Sequence, residues 1–111
     1  SGLTGRTQKF TSQGVFVLKW GTGGAGDRQF RSPRGVAVAS DGSVYVSDTM
    51  NHRIQKFTSE GVFVSKWGTE GTGDGQFSYP TDVAVASNGS VYVSDSHKYA
   101  IQKFTTSHDL P

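Results

Sequence analysis

The residues with latent chemistry are three histidines, His52, His97 and His108, two Asp-Gly pairs and one glycine-rich run. His52 and His97 fall at adjacent, non-equivalent positions of one loop type, so a cyclic arrangement could bring them together. A metal site needs three or four ligands in defined geometry. Loop packing or hydrogen bonding is the plainer role for a lone histidine, and neither metal nor cofactor is expected. Asp41-Gly42-Ser43 and Gly73-Asp74-Gly75 resemble fragments of calcium loops but lack the alternating oxygen ligands. Turn chemistry accounts for them. The run Gly21 to Gly26 has no following Lys-Ser/Thr and no helix, so it is not a phosphate-binding loop. No Gly-x-Ser-x-Gly elbow and no Ser/His/Asp set is present. Catalysis is therefore not expected.

Basic residues interleaved with aromatics can contact phosphates and stack bases. Arg28, Arg31, Arg34 and Arg53, with Tyr79, Lys98 and Tyr99, form such a set. Asp82 and Asp95 lie among them and the net charge is only +2, so RNA is the second choice of partner. Trp20 and Trp67 end equivalent strands, which favours packing between repeats over sugar stacking.

The elements that position these residues repeat. Val36 to Asp48 returns as Val83 to Asp95, an offset of 47 residues, and Phe10, Phe57 and Phe104 keep the same spacing. Within a period, strand A (Val36–Ala39, Val83–Ala86) is apolar on both faces, with Ala keeping one face small. Such a strand suits the crowded centre of a radial assembly. A tight Ser-Asp-Gly or Ser-Asn-Gly turn leads to strand B, Val44–Ser47 or Val91–Ser94. Strand C has three copies, Thr7–Thr11, Ile54–Thr58 and Ile101–Thr105. Strand D is Val15–Trp20 or Val62–Trp67, with a Lys that guards against stray pairing at an edge. The reading is all-β: β-propeller blades of four-stranded antiparallel sheets, about two blades per chain. Residues 1–6 form a flexible lead, 7–20 a partial blade of strands C and D, and 33–67 a full blade. Residues 80–105 form a partial blade of strands A, B and C, and 106–111 a tail.

Only 33% of the 111 residues are hydrophobic and 15 are glycine, a thin supply for one isolated core. Repeats bury their faces against neighbours instead. There is no Cys, so disulfide and thiol chemistry are excluded. No stretch approaches a membrane span, and Ser1 to Gly5 shows no secretory pattern, which leaves the compartment unassigned.

Pro33 to Val38, Val44 to Asp48, Asn51 to Phe57 and Gly61 to Phe63 together resemble an NHL repeat, a β-propeller family named for an Asn-His-Leu triplet. The triplet position holds Asn51-His52-Arg53, and in the second copy Lys98-Tyr99-Ala100, a departure from the pattern. The resemblance implies that Asp48, ending strand B, and Arg53, entering strand C, brace the blade. Asp95 has only Ala100 in the matching place, so its blade should be held less firmly there. The resemblance also implies a platform for RNA, protein or small ligands, with lyase or hydrolase activity in a few members.

Residues 8–48 and 55–95 differ at ten positions, seven of them between Gly23 and Gly35. Repeats this close point to recent amplification or design. The loop after strand B also changes completely. Both variable loops belong to one face of a blade, where binding residues sit on rigid scaffolds. The expected binding set is Arg31, Arg34, Met50, His52, Arg53, Tyr79, Asp82, His97, Lys98 and Tyr99. The expected structural set is Asp48, Arg53, Asp95, Trp20, Trp67, Phe57 and Phe104.

Two blades cannot close a ring, and exposed blade faces favour head-to-tail association. The expected partner is therefore the chain itself, with strand D of one chain completing the last blade of the next. Three chains would give six blades, four would give eight. The first and third C strands would compete for one slot. The third is favoured because it holds Ile101 where the first holds Thr7, leaving residues 1–11 loose.

Overall fold

A computed structural model describes residues 6–10, 13–14, 16–96 and 100–105. The strands are β1 (Thr7–Phe10), β2 (Phe16–Trp20), β3 (Thr22–Gly23), β4 (Gln29–Phe30), β5 (Pro33–Val38), β6 (Val44–Asp48) and β7 (Arg53–Phe57). They continue as β8 (Phe63–Trp67), β9 (Thr69–Glu70), β10 (Gln76–Phe77), β11 (Pro80–Val85), β12 (Val91–Asp95) and β13 (Ala100–Phe104). A 3-10 turn spans Thr49–Asn51. Three antiparallel sheets follow the repeat: β1-β2, then β5-β6-β7-β8, then β11-β12-β13. We call them blades one, two and three.

Strand A starts earlier than its apolar run predicts, at Pro33 and Pro80, with a register shift before Gly35 and Asp82. Proline is tolerated because strand A is an edge strand, whose outer amides need no ladder partner. The glycine-rich connections are also more ordered than composition predicts. β3 and β4 pair in parallel, as do β9 and β10. The Gln29 side chain accepts the Gly26 amide at 2.7 Å, and Gln76 accepts that of Gly73 at 2.9 Å. Gly24 has φ 142°, a backbone conformation that residues with side chains rarely adopt, which favours glycine there.

Two cores lie between blades. Trp20, Phe30, Val44, Val46 and Phe57 join blade one to blade two. Tyr45, Ile54, Phe77, Val83, Val91 and Val93 join blade two to blade three. Trp20 meets Phe57 at 5.4 Å between ring centroids, and Trp67 meets Phe104 at 5.5 Å, each across a blade boundary. Each aromatic pair contributes about 0.5–1.5 kcal/mol beyond its burial. The tryptophans and phenylalanines of the structural set are thus packing residues between blades.

β1 pairs with β2 as β7 pairs with β8: Thr7 opposes Trp20 where Ile54 opposes Trp67. Within one chain the first C strand therefore occupies the slot beside strand D.

Candidate functional site

Asp48 ends β6 and organises the loop face of blade two. One carboxylate oxygen accepts the Arg31 amide at 2.7 Å. The other accepts Asn51 Nδ2 at 2.9 Å, Arg53 Nε at 2.8 Å and Gln55 Nε2 at 3.3 Å. Arg53 in turn donates to the carbonyls of Ala25 (2.8 Å), Gly26 (2.8 Å) and Gln29 (2.9 Å). One buried pair thus ties the end of strand B to the whole connection between blades. A buried carboxylate is tolerable only when paired and hydrogen-bonded in this way.

This overturns one expectation. Arg53 was expected to bind a guest as well as brace the blade, but it is buried and its guanidinium is engaged on both sides. Sequence alone could not separate the two roles, because the carbonyls that Arg53 caps belong to the connection some 25 residues earlier.

Asp95 takes the same place in blade three with fewer donors. It accepts the Ser78 amide at 2.6 Å, while its Oδ1 is buried with no hydrogen-bond partner among the described residues. Ala100 stands opposite Asp95 where Arg53 stands opposite Asp48. Gln55 accepts the Arg28 amide at 3.1 Å and donates to the Gln29 carbonyl at 2.7 Å, and Gln102 repeats this clamp, accepting the Gly75 amide at 2.9 Å and donating to the Gln76 carbonyl at 2.8 Å.

The loop face also stores backbone strain. His52 has φ 54° and Tyr79 φ 84°, uncommon for residues with side chains. Their rings meet edge to face at 4.8 Å, so the strained loops of two blades lean on each other. Among the described residues His52 Nδ1 is buried without a hydrogen-bond partner, and Nε2 lies 3.9 Å from Glu70. Backbone strain of this kind clusters at functional sites. A groove of about 570 Å³ runs beside this pair; Met50, Asn51, His52, Trp67 and Glu70 are among its lining, and the engaged Arg53 also borders it. Arg28 and Arg31 are exposed nearby. Among the described residues no three His, Asp or Glu side chains group as a metal site. His97, Lys98 and Tyr99 lie outside the described residues, as does His108.

Asp82 does not join the loop face; this is the second correction. A Cβ on Gly35 would meet Asp82 Cα at 2.9 Å and the Thr81 carbonyl at 3.1 Å, so position 35 points from blade two to blade three. Alternation then sends Val36 and Val38 to the opposite side of β5, while Arg34 is the extra, exposed residue at the register shift between Pro33 and Gly35. On β11 the same alternation turns Val83 into the core and Asp82 and Ala84 outward. Val36 with Val38, and Asp82 with Ala84, thus belong to two open blade faces at opposite ends of the chain. Each open face has a cleft. One, of about 370 Å³, lies between β1, Trp20 and the valines Val36 and Val38. The other, of about 140 Å³, is lined by Asp82, Val83, Ala84, Tyr92, Ser94 and Ile101.

The NHL repeat model matches residues 30–57 and 77–104, half of the chain, covering strands A, B and C of both long blades. The chain belongs to the NHL repeat family. No curated protein matches this NHL chain. Among solved structures it resembles one described as "Streptogramin B lyase structure", with a TM-score of 0.70 and 16% identity. The likeness covers 94% of this chain and 32% of the other, so the NHL chain spans about a third of that protein's length. At that identity the likeness establishes the propeller fold. Among the described residues no helix is long and apolar enough to cross a membrane.

Proposed function

We propose that this NHL chain is a self-assembling propeller module, a ring of identical chains presenting a loop face to a guest, without catalysis. The observation that carries the reading is that the two open faces match the two halves of a seam already inside the chain. Between blades two and three, Tyr45 (1% exposed) and Ile54 (0%) pack against Val83 (5%). Their equivalents at the open ends are Tyr92 (38%), Ile101 (72%) and Val36 (57%). Docking the Tyr92 and Ile101 face of one copy on the Val36 face of the next repeats the internal seam. Burying such side chains stabilises by about 1.5–3 kcal/mol each. The contact is head to tail, the kind that closes into rings.

The free edge of β13 then receives strand D of the next copy. β13 is the better occupant of the shared blade, because Gln102 and the β12 ladder hold it in place. Binding rather than catalysis is favoured at the loop face because Asp48 and Arg53 are spent on holding the loops. RNA is the second choice of guest, supported by the exposed Arg28 and Arg31. Its affinity would fall steeply with salt.

Native mass measured across a concentration series tests the assembly. Three chains, hence six blades, is the expected result, and four chains also fits. A single-chain mass at all concentrations overturns it; further repeats in a longer polypeptide would then cover the same faces.

A further inference from the structure

The repeats differ at the innermost strand in a way that the internal seam does not need. Blade two holds Arg34-Gly35 where blade three holds Thr81-Asp82. Inside the chain the contact at this level is neutral: Gly35 faces the backbone of Thr81 and Asp82. At the open ends the two remaining members of the set are Arg34, at the start of the strand that carries Val36 and Val38, and Asp82, on the face with Ala84. Both side chains are exposed. Asp82 accepts the amide of Val83 at 3.0 Å, and among the described residues Arg34 and Asp82 enter no ion pair.

We infer that Arg34 of one copy and Asp82 of another form an ion pair across the ring junction, and that this pair sets the order of faces around the ring. The inference rests on the assembly reading above. If the junction repeats the internal seam, position 82 stands to position 34 of the next copy as Gly35 stands to Thr81. Alternation along β11 sends the Asp82 side chain toward the next blade. There the repeated seam sets it against the backbone of Arg34, as Gly35 is set against that of Thr81, and the long exposed Arg34 side chain can reach the carboxylate. Asp82 brings a Cβ that Gly35 lacks, and at the internal seam such a Cβ would sit 2.9 Å from backbone. The junction must be wider at this level than the seam, and the long guanidinium spans the gap. Opposite charges also explain why copies join at the junction in one orientation: a face turned on its own kind sets Arg34 against Arg34, or Asp82 against Asp82.

Charge reversal tests this with native mass and light scattering over a dilution series. Arg34→Asp and Asp82→Arg, made singly, are each expected to raise the concentration needed for assembly by roughly tenfold or more, since like charges then oppose at every junction. The double variant Arg34→Asp/Asp82→Arg restores the pair in reverse and should assemble within about threefold of the unaltered chain. Thermal melts at assembly-free concentrations check folding, which both exposed positions should leave unchanged. If the single variants assemble like the unaltered chain, or the double variant is as impaired as either, the ion pair is overturned while the ring stands. If the unaltered chain itself never leaves the single-chain mass, the ring fails and this inference with it.

Discussion

Arg53 Nε lies 2.8 Å from the Asp48 carboxylate, both side chains buried, and the same two positions in blade three hold Ala100 and Asp95. The fold therefore contains its own comparison between a braced and an unbraced blade. Arg53→Ala should be among the most damaging single changes, because it leaves a buried carboxylate without its charged partner and removes the donors to the Ala25 and Gly26 carbonyls. A loss of about 3–5 kcal/mol is expected from broken buried pairs. The converse, Ala100→Arg, should stabilise blade three by about 1–3 kcal/mol by giving the orphaned Asp95 oxygen a charged donor. Urea denaturation of both variants, under conditions that keep the chain single, measures the two effects. A neutral Ala100→Arg would mean that the connection around Gly73 cannot receive the guanidinium.

Ile54 and Ile101 are identical residues in equivalent strands with opposite surroundings. Ile101→Asp should leave the single chain within about 0.5 kcal/mol of its stability, as exposed substitutions do. It should abolish assembly, by placing a charge in the docked face. Ile54→Asp should instead unfold the chain, since a lone carboxylate would be buried between blades. Circular dichroism and native mass on the same samples separate the two. An Ile101→Asp chain that assembles normally removes β13 from the shared blade.

Because β1 holds the slot beside β2 in one chain, strand exchange must expel it. The chain has no cysteine, so a disulfide can be introduced without competition. Gln8 and Lys19 are directly opposed and both exposed. Directly opposed residues of an antiparallel pair lie about 4.5–5.5 Å apart at Cα, within disulfide reach. Oxidised Gln8→Cys/Lys19→Cys should stay at single-chain mass, and reduction should release assembly. Assembly of the oxidised form would place β1, not β13, in the ring.

The Asp41 carboxylate accepts the Ser43 amide at 2.9 Å, and that bond, with a further one to the Ser43 side chain, holds its pKa below the ordinary range. A depressed folded-state pKa stabilises above the unfolded value, near about pH 4, and the contribution is lost as pH falls through the folded value. In the second copy, Asn88 makes the same bond to Ser90 at 2.9 Å without titrating. Asp41→Asn should therefore leave neutral-pH melting unchanged and remove this turn's share of the acid loss. Melting curves across pH 2–7 would show it; an unaltered acid limb would assign the loss elsewhere.

The sequence by itself determined the period, the four strands of a blade and the turns between them, while the Asp48–Arg53 brace followed from the resemblance to NHL repeats. These are local or repeated signals: alternation along a strand, Asp-Gly and Asn-Gly turns, and a spacing that recurs. Only the tertiary structure decided which of two equivalent residues is covered. Ile54 and Ile101 share a sequence context, and nothing within a few residues of either says whether a blade follows it. It also decided that Arg53 is unavailable to a guest, because its acceptors arrive from the preceding connection. Asp82 illustrates the same limit. It looks like a loop-face residue in the chain, yet a strand's two faces are distinguished only by what packs on them. That packing is set by the neighbouring blade, 47 residues away.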